Sequence, residues 1–134
     1  MNEATTPATP PLSLASDLAK PLLEELATWG PTTTVILHGG SVFEFKGPFP
    51  KGSMGHGYYN LKGENGFEGH IGLAAITQVQ FQDKLHRGRQ SYAFDFKDKD
   101  DASVFKVFVG RDSSGELIST QVERFKQIQA SGQL

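Results

Sequence analysis

The spacing of apolar residues changes twice along this chain, and this change restricts the fold more than any other feature. Between Thr32 and Gly110 apolar side chains recur at every second position, whereas on either side of this stretch they recur with helical spacing. A period of two places alternate side chains on opposite faces of a β-strand. The 15 Gly and 7 Pro residues are typical of the turns between strands. The pattern therefore predicts an α+β fold, in which a large antiparallel sheet lies between N-terminal and C-terminal helices.

Seven segments have the composition and alternation of strands. They are residues 32–38, 41–46, 57–62, 67–72, 77–85, 90–97 and 103–109. Val79 and Phe81 alternate with glutamines, which predicts one buried and one solvated face for that strand. Residues 47–52 carry two prolines, and we expect a rigid loop there because proline cannot donate to a sheet ladder. We expect these strands, about seven or more per chain, to form one long meander.

Two segments have the spacing of helices. Residues 12–29 are predicted to be helical in two pieces divided by Pro21, with Ser16 and Asp17 as caps. The last helix is predicted to open at residues 112–114, where Asp112 would be its cap. The apolar faces of the two helices are Leu22, Leu23, Leu26 and Trp29, and Leu117, Val122, Phe125 and Ile128.

Length and composition limit the classes of function. We expect a disordered leader over residues 1–11, which are rich in Thr, Ala and Pro, and a single domain over 12–134. The absence of Cys excludes disulfide scaffolds, cysteine-ligated zinc, iron–sulfur clusters and thiol catalysis. A net charge of −2 argues against general nucleic-acid binding. With no signal-peptide pattern before Lys20 and no membrane-spanning run, we expect a cytoplasmic protein without membrane insertion.

The clearest hairpin signal surrounds Gly66. A three-residue loop that ends at this glycine, in the left-handed conformation, sets Tyr59 opposite Ile71 and Asn60 opposite His70. In this register the apolar side chains share one face and the polar ones share the other. A two-residue loop would shift the register by one residue and mix the faces, so we predict the three-residue loop.

Tyr58 is a diagonal neighbour of His70 in that register, within reach of long side chains. The pair lies on the face that does not join the core, beside Asn60 and Glu68. A phenol and an imidazole at such a place could ligate iron, bind an anion or relay a proton. The alternative is an ordinary solvated sheet face, and the pattern leaves both open.

The other histidines give weaker signals, and no standard hydrolase, nucleotide-binding or zinc-protease motif is present. His56 lies in a glycine-rich segment predicted to be a surface loop. His38 ends the first strand, where we expect a histidine at the core edge bonded to the backbone. His86 lies in a basic cluster with Arg87 and Arg89, which could clamp carboxylates or phosphates but is also typical of a solvated hairpin end.

Several stretches that keep their order and spacing between residues 22 and 128 together resemble the HutX/ChuX family of intracellular bacterial heme-utilisation carriers. They are residues 29–30 with 32–34, 44–45 followed by Gly47 and Pro50, then 56–61, 69–71 and 106–112. The resemblance implies an α+β unit with a large antiparallel sheet, similar to the halves of the longer HemS/ChuS proteins. It also implies a homodimer that binds b-type heme non-covalently and passes it to a downstream acceptor or degrading enzyme.

The resemblance also suggests which residues hold the iron. It matches the family's motif tyrosine to Tyr58, the Gly-His-Ile histidine to His70 and the leading motif histidine to His56. His38 is a fourth candidate, although some members carry this histidine one position earlier, and a shift of one residue moves a strand side chain to the other face. Well-known members also have some tens of further residues ahead of the first helix.

The remaining requirements of heme agree with the composition. Without Cys the axial donor must be His, Tyr or Met, and the 10 Phe residues can supply apolar walls. Arg87, Arg89 and Arg111 are the candidate partners of the propionates. The expected function is a non-enzymatic, dimeric heme carrier in the cytoplasm. A heme-degrading enzyme and a dimeric interaction module with no heme role are the alternatives.

Overall fold

A computed structural model of the chain describes residues 11–134 and confirms the α+β class. The predicted leader, apart from Pro11, lies outside the described residues. The strands of residues 11–134 are β1 Ser13–Ala15, β2 Pro31–His38, β3 Ser41–Pro48, β4 Lys51–Gly55, β5 Tyr58–Lys62, β6 Glu68–Ile71, β7 Gln78–His86, β8 Arg89–Lys97 and β9 Ser103–Val109. The helices are α1 Ala19–Leu26 and α2 Ser119–Ser131. None of the helices among these residues is both long enough and apolar enough to cross a membrane.

The strands form two antiparallel sheets. The large sheet has six strands in the order β1-β7-β8-β9-β2-β3, and the small sheet has three in the order β4-β5-β6. The expectation of one continuous meander is therefore wrong. Phe49, which is buried between β3 and β4, packs against Phe67 and Phe105 with ring centroids 5.6 and 6.4 Å away. The buried Phe49 side chain thus lies at the point where the chain leaves the large sheet and enters the small sheet.

Both helices and one face of the small sheet cover the same face of the large sheet. Phe125 of α2 packs on Phe81, Tyr92 and Phe94, with ring centroids 4.9 to 5.8 Å apart. Val79 and Phe81 face this core as predicted. Burial of a Phe side chain stabilises the fold by about 1.5–3 kcal/mol. The other face of the large sheet, the uncovered face, carries neither of these helices nor the small sheet and lines a concavity that the loop after β9 borders. The outer face of the small sheet is exposed.

The predicted helix over residues 12–29 is wrong at its start. Ser13–Ala15 is a strand that pairs with β7, and Leu14 lies buried opposite Val79. A 3-10 turn, Ser16–Leu18, then leads into α1, and no side-chain cap bond forms at either start. Pro21 lies in the first turn of α1, where its missing N–H leaves no helical bond unmade.

Two further predictions on irregular segments are corrected. The predicted loop 47–52 is mostly strand, because β3 runs to Pro48 and β4 begins at Lys51. Both are edge strands, where proline is tolerated. The last helix begins at Ser119, after a turn in which the Asp112 carboxylate accepts bonds from two backbone N–H groups. Asp112 therefore closes a loop and does not cap the helix.

Two polar contacts hold the helices in place. Gln121 of α2, only 3% exposed, donates to the carbonyls of Trp29 and Pro31 and accepts from the N–H of Gly110 at 2.7 Å. Arg124 donates twice to the carboxylate of Glu25 in α1, at 2.8 Å for each bond. These bonds join α1, α2 and the strand ends β2 and β9.

Candidate functional site

The hairpin β5–β6 has the predicted register. Tyr59 pairs with Ile71 and Asn60 pairs with His70. Gly66 adopts a φ of 87°, the left-handed conformation that the three-residue loop requires. Paired residues of an antiparallel ladder share a face, so the inner face of the small sheet carries Tyr59 and Leu61 and joins the core.

The outer face of the small sheet is polar and exposed. Its side chains lie in rows set by the pairing of β4, β5 and β6, about 7 Å apart along the strands. The rows are Gly55 and Tyr58; Ser53, Asn60 and His70; and Lys51, Lys62 and Glu68. The predicted pair of a phenol and an imidazole therefore lies on one open surface.

Tyr58 and His70 are in contact across two rows of this face. Their ring centroids are 5.9 Å apart, with an edge-to-face angle of 60°. Tyr58 is 47% exposed, and His70 is also exposed. Both groups can thus reach a planar ligand that lies over the face.

Asn60 holds His70 in place. Its Oδ1 lies 2.6 Å from Nδ1 of His70. Its Nδ2 donates to the backbone carbonyls of Ser53, Gly55 and Tyr58 at 3.2, 3.1 and 3.3 Å. The sequence predicted that Asn60 lies opposite His70 but not this bond, because two of the three carbonyls, those of Ser53 and Gly55, come from β4, which was predicted to be loop.

Tyr59 shows why only one of the consecutive tyrosines is a candidate ligand. It points into the core and is 1% exposed, and burial raises the pKa of its phenol. A raised pKa disfavours the phenolate that binds a metal. Its ring also lies so close to Gly52 that a side chain at that position would collide with it.

The structure separates the remaining predicted ligands. His56 occupies the exposed turn between β4 and β5, with a φ of 53°, two residues from Tyr58. His38 lies exposed at the tip of the β2–β3 hairpin, opposite Ser41, so the expectation of a core-edge histidine is wrong. Only His56 lies at the same end of the small sheet as the Tyr58 row.

The three predicted arginines lie elsewhere in the chain. Arg87, Arg89 and Arg111 line a concavity of about 1130 Å³ over the uncovered face of the large sheet, and neither Tyr58 nor His70 lines it. Arg89 and Arg111 both donate to the carbonyl of Gly115, at 2.9 and 3.0 Å. Arg87, at the β7–β8 turn, makes no hydrogen bond or ion pair within residues 11–134, which leaves its guanidinium accessible to a ligand.

Comparison with known proteins agrees with this architecture. Residues 12–128 match the family described as haem utilisation ChuX/HutX. The chain belongs to this family. It is 46% identical over 112 residues to the intracellular heme transport protein HutX of Vibrio cholerae, covering 83% of this chain but only 58% of that protein.

Solved structures of the family and of a related fold also align. The heme-binding protein ChuX superposes with a TM-score of 0.81 at 29% identity, covering 90% of this chain and 76% of that one. ChuS, an E. coli heme oxygenase, superposes with a TM-score of 0.71 at 15% identity, covering 87% of this chain and 36% of that one. At that identity the likeness to ChuS shows a shared fold alone.

Two lysines of the outer face were missed by the sequence reasoning. Lys51 and Lys62 are directly opposite each other, both exposed, and neither forms an ion pair within residues 11–134. Like charges directly opposite each other destabilise a ladder. Their row, in which Glu68 lies opposite Lys62, adjoins that of His70, so it places two lysines and one carboxylate beside the candidate donor. The signal was hidden because Lys51 belonged to the predicted loop.

Proposed function

We propose that this chain binds heme on the outer face of the small sheet and acts as an intracellular heme carrier. The observation that carries the proposal is the contact of Tyr58 with His70 on an exposed face, in a chain of the ChuX/HutX family. The V. cholerae relative is a heme transport protein and ChuX is a heme-binding protein. Heme is the cargo here, and the carrier performs no chemistry on it.

The donor groups fit heme iron. An imidazole binds ferrous and ferric iron, and a phenolate is a hard anionic donor that favours ferric iron. His70 and Tyr58 are the primary candidates for the axial position, with His56 as a donor that the adjacent turn can bring in. His38, on the large sheet, is the least suited of the four. Because the chain has no Cys to form thioether links, the heme is held as b-type, non-covalent heme.

The propionates need cations near the donor. Lys51 and Lys62 occupy the row next to His70 and can bind carboxylates that overhang the sheet. Arg87 is the most accessible of the three predicted arginines, whereas Arg89 and Arg111 already donate to backbone carbonyls. We therefore assign the carboxylate contacts to the lysines, and the arginines remain the partners that a heme bound over the uncovered face of the large sheet would use.

The proposed carrier is a homodimer, in which a second copy of the chain packs on the uncovered face of the large sheet. The uncovered face of the large sheet exposes Leu37 by 48% and Val42 by 60%, and Oδ1 of buried Asp95 has no partner among the described residues. Lys106 lies opposite Asp95 in the ladder, so the face carries both signs of charge. A two-fold axis can therefore pair acid with base across this surface. Sedimentation at micromolar concentration tests this, because a stable 14.6 kDa monomer that still binds hemin contradicts it.

The carrier works in the cytoplasm and hands heme to a downstream protein acceptor. An exposed site suits transfer, since a bound ligand remains accessible to a second protein. Heme degradation is the competing function. It predicts stoichiometric verdoheme or biliverdin formation under reductant and oxygen that survives catalase, whereas a carrier gives only catalase-sensitive bleaching.

A hemin titration followed at the Soret band tests the site. We expect wild type to give a saturable, shifted band, and the Tyr58→Phe/His70→Ala variant to lose it. His86→Ala is the matched control, because His86 is an exposed histidine on the large sheet. Equal spectra for wild type and the double variant contradict the proposed site. No specific shift for wild type, together with tight self-association, favours a dimeric interaction module without heme.

A further inference from the structure

The orientation of the Asn60 side-chain amide is determined by its surroundings. Three backbone carbonyls, those of Ser53, Gly55 and Tyr58, lie 3.1 to 3.3 Å from Nδ2. Carbonyl oxygens only accept hydrogen bonds, so the NH₂ group must face them. The reversed amide would place its oxygen against three other oxygens and lose every one of these bonds.

This orientation fixes which nitrogen of His70 carries the proton. Asn60 Oδ1 faces His70 Nδ1 at 2.6 Å, and an amide oxygen can only accept. Nδ1 must therefore donate. In the neutral imidazole the lone pair then lies on Nε2, which makes no hydrogen bond within residues 11–134.

We propose that Asn60 is a positioning residue that locks neutral His70 in the Nδ1–H tautomer and so presents the Nε2 lone pair for heme iron. The inference rests on the proposed function for its ligand, but the tautomer itself is a property of the ligand-free chain. A free imidazole in water favours the opposite tautomer, in which Nε2 carries the proton. Partners that hold the second ring nitrogen are a general means of orienting a metal-binding histidine.

The β4–β5 turn is built to accept this amide. Gly55 has no side chain, and a Cβ at that position would lie 3.1 Å from Asn60 Nδ2. The turn residues His56 and Gly57 both have positive φ, which brings the ends of the two strands together around the amide. The glycines of this segment thus have a role in positioning His70, beyond that of forming a turn.

The tautomer can be read directly in the ligand-free protein by long-range ¹H–¹⁵N NMR of the imidazole. In wild type we expect the unprotonated ¹⁵N signal at Nε2 of His70. Asn60→Leu should shift His70 toward the Nε2–H form, because it removes the acceptor that holds the Nδ1 proton. His86 serves as an internal reference that does not change. Protonated Nε2 in wild type overturns the proposal even if the variant does not fold.

Hemin titration of the same variant links the tautomer to binding. We expect Asn60→Leu to raise the dissociation constant about 10- to 100-fold. A scrambled tautomer with unchanged hemin affinity overturns the positioning role. If His70→Ala leaves hemin binding intact, the proposed ligand role of His70 fails, while the NMR result on Asn60 stands separately.

Discussion

The rings of Tyr58 and His70 meet edge to face, with centroids 5.9 Å apart, on the exposed surface of a three-stranded sheet. The two side chains differ in the hydrogen bonds that hold them. His70 is held through Nδ1 by Asn60, whereas the Tyr58 hydroxyl makes no hydrogen bond to any residue in the range 11–134. A donor that is already fixed loses less conformational freedom when it binds.

Single substitutions should therefore separate the two donors. We expect His70→Ala to raise the hemin dissociation constant at least tenfold, because it removes the pre-ordered donor, and Tyr58→Phe to raise it less. Soret titrations of ferric and ferrous heme measure both effects. A larger loss for Tyr58→Phe in the ferric state, with His70→Ala binding like wild type, would assign the iron to the phenolate instead.

Lys51 and Lys62 should increase hemin affinity only through contacts with the heme carboxylates. Lys51→Gln with Lys62→Gln should weaken hemin binding by about fivefold or less per lysine, and the loss should shrink at high salt. The dimethyl ester of hemin lacks carboxylates, so wild type and variant should bind it equally. Lys99→Gln, at the exposed β8–β9 turn, is the control. An equal loss of affinity for the ester would show that the lysines act through the fold.

Gln121 should matter for stability far more than a surface glutamine. Gln121→Leu leaves the N–H of Gly110 and the carbonyl of Pro31 without their partner, and each buried unsatisfied group costs about 1–3 kcal/mol. Urea unfolding should show a loss in this range or above. Gln127→Leu, on the exposed side of the same helix, should change the free energy of unfolding little. Similar losses for both variants would contradict the role of the buried amide.

The ion pair between α1 and α2 predicts a pH dependence. Its bonds to Arg124 lower the pKa of Glu25 below the ordinary 4.5. A lowered pKa in the folded state adds stability that is complete above the unfolded pKa and is lost as pH falls through the folded pKa. We expect Glu25→Gln to cost about 1 kcal/mol at pH 7, since the pair is partly exposed.

The measurement is the difference in unfolding free energy between wild type and Glu25→Gln from pH 7 down to pH 3. This difference should be constant near neutrality and close as pH falls below 4.5. A difference that persists unchanged in acid would mean that the glutamine acts through packing and not through charge.

The alternation of side chains was sufficient to predict the β5–β6 register, because only one loop length kept Tyr59 and Ile71 on the same face. It was also sufficient for the long strands and for the α+β class. It failed at β1, since three residues are too short to show a period and Leu14 is buried by its pairing with Val79. It failed again at β4, because the glycines that make room for Tyr59 and Asn60 are also typical of a loop.

The site was predicted only in part, because β4 was not predicted to be a strand. Tyr58 and His70 could be placed on one face from the register alone. The bond between Asn60 and His70 depends on carbonyls of β4 that no local pattern reveals. Charge alone predicted the three arginines, and charge does not show that Arg89 and Arg111 already donate to the carbonyl of Gly115.

Paramagnetic mapping tests the location of the heme most directly. Amide spectra of the protein loaded with ferric hemin are compared with spectra of the protein loaded with the diamagnetic gallium protoporphyrin. The account predicts that ferric iron broadens signals around Tyr58, Asn60 and His70 and spares the β7–β8 turn at Arg87. Broadening centred on Arg87 and the uncovered face of the large sheet, with β5 and β6 unaffected, would contradict it.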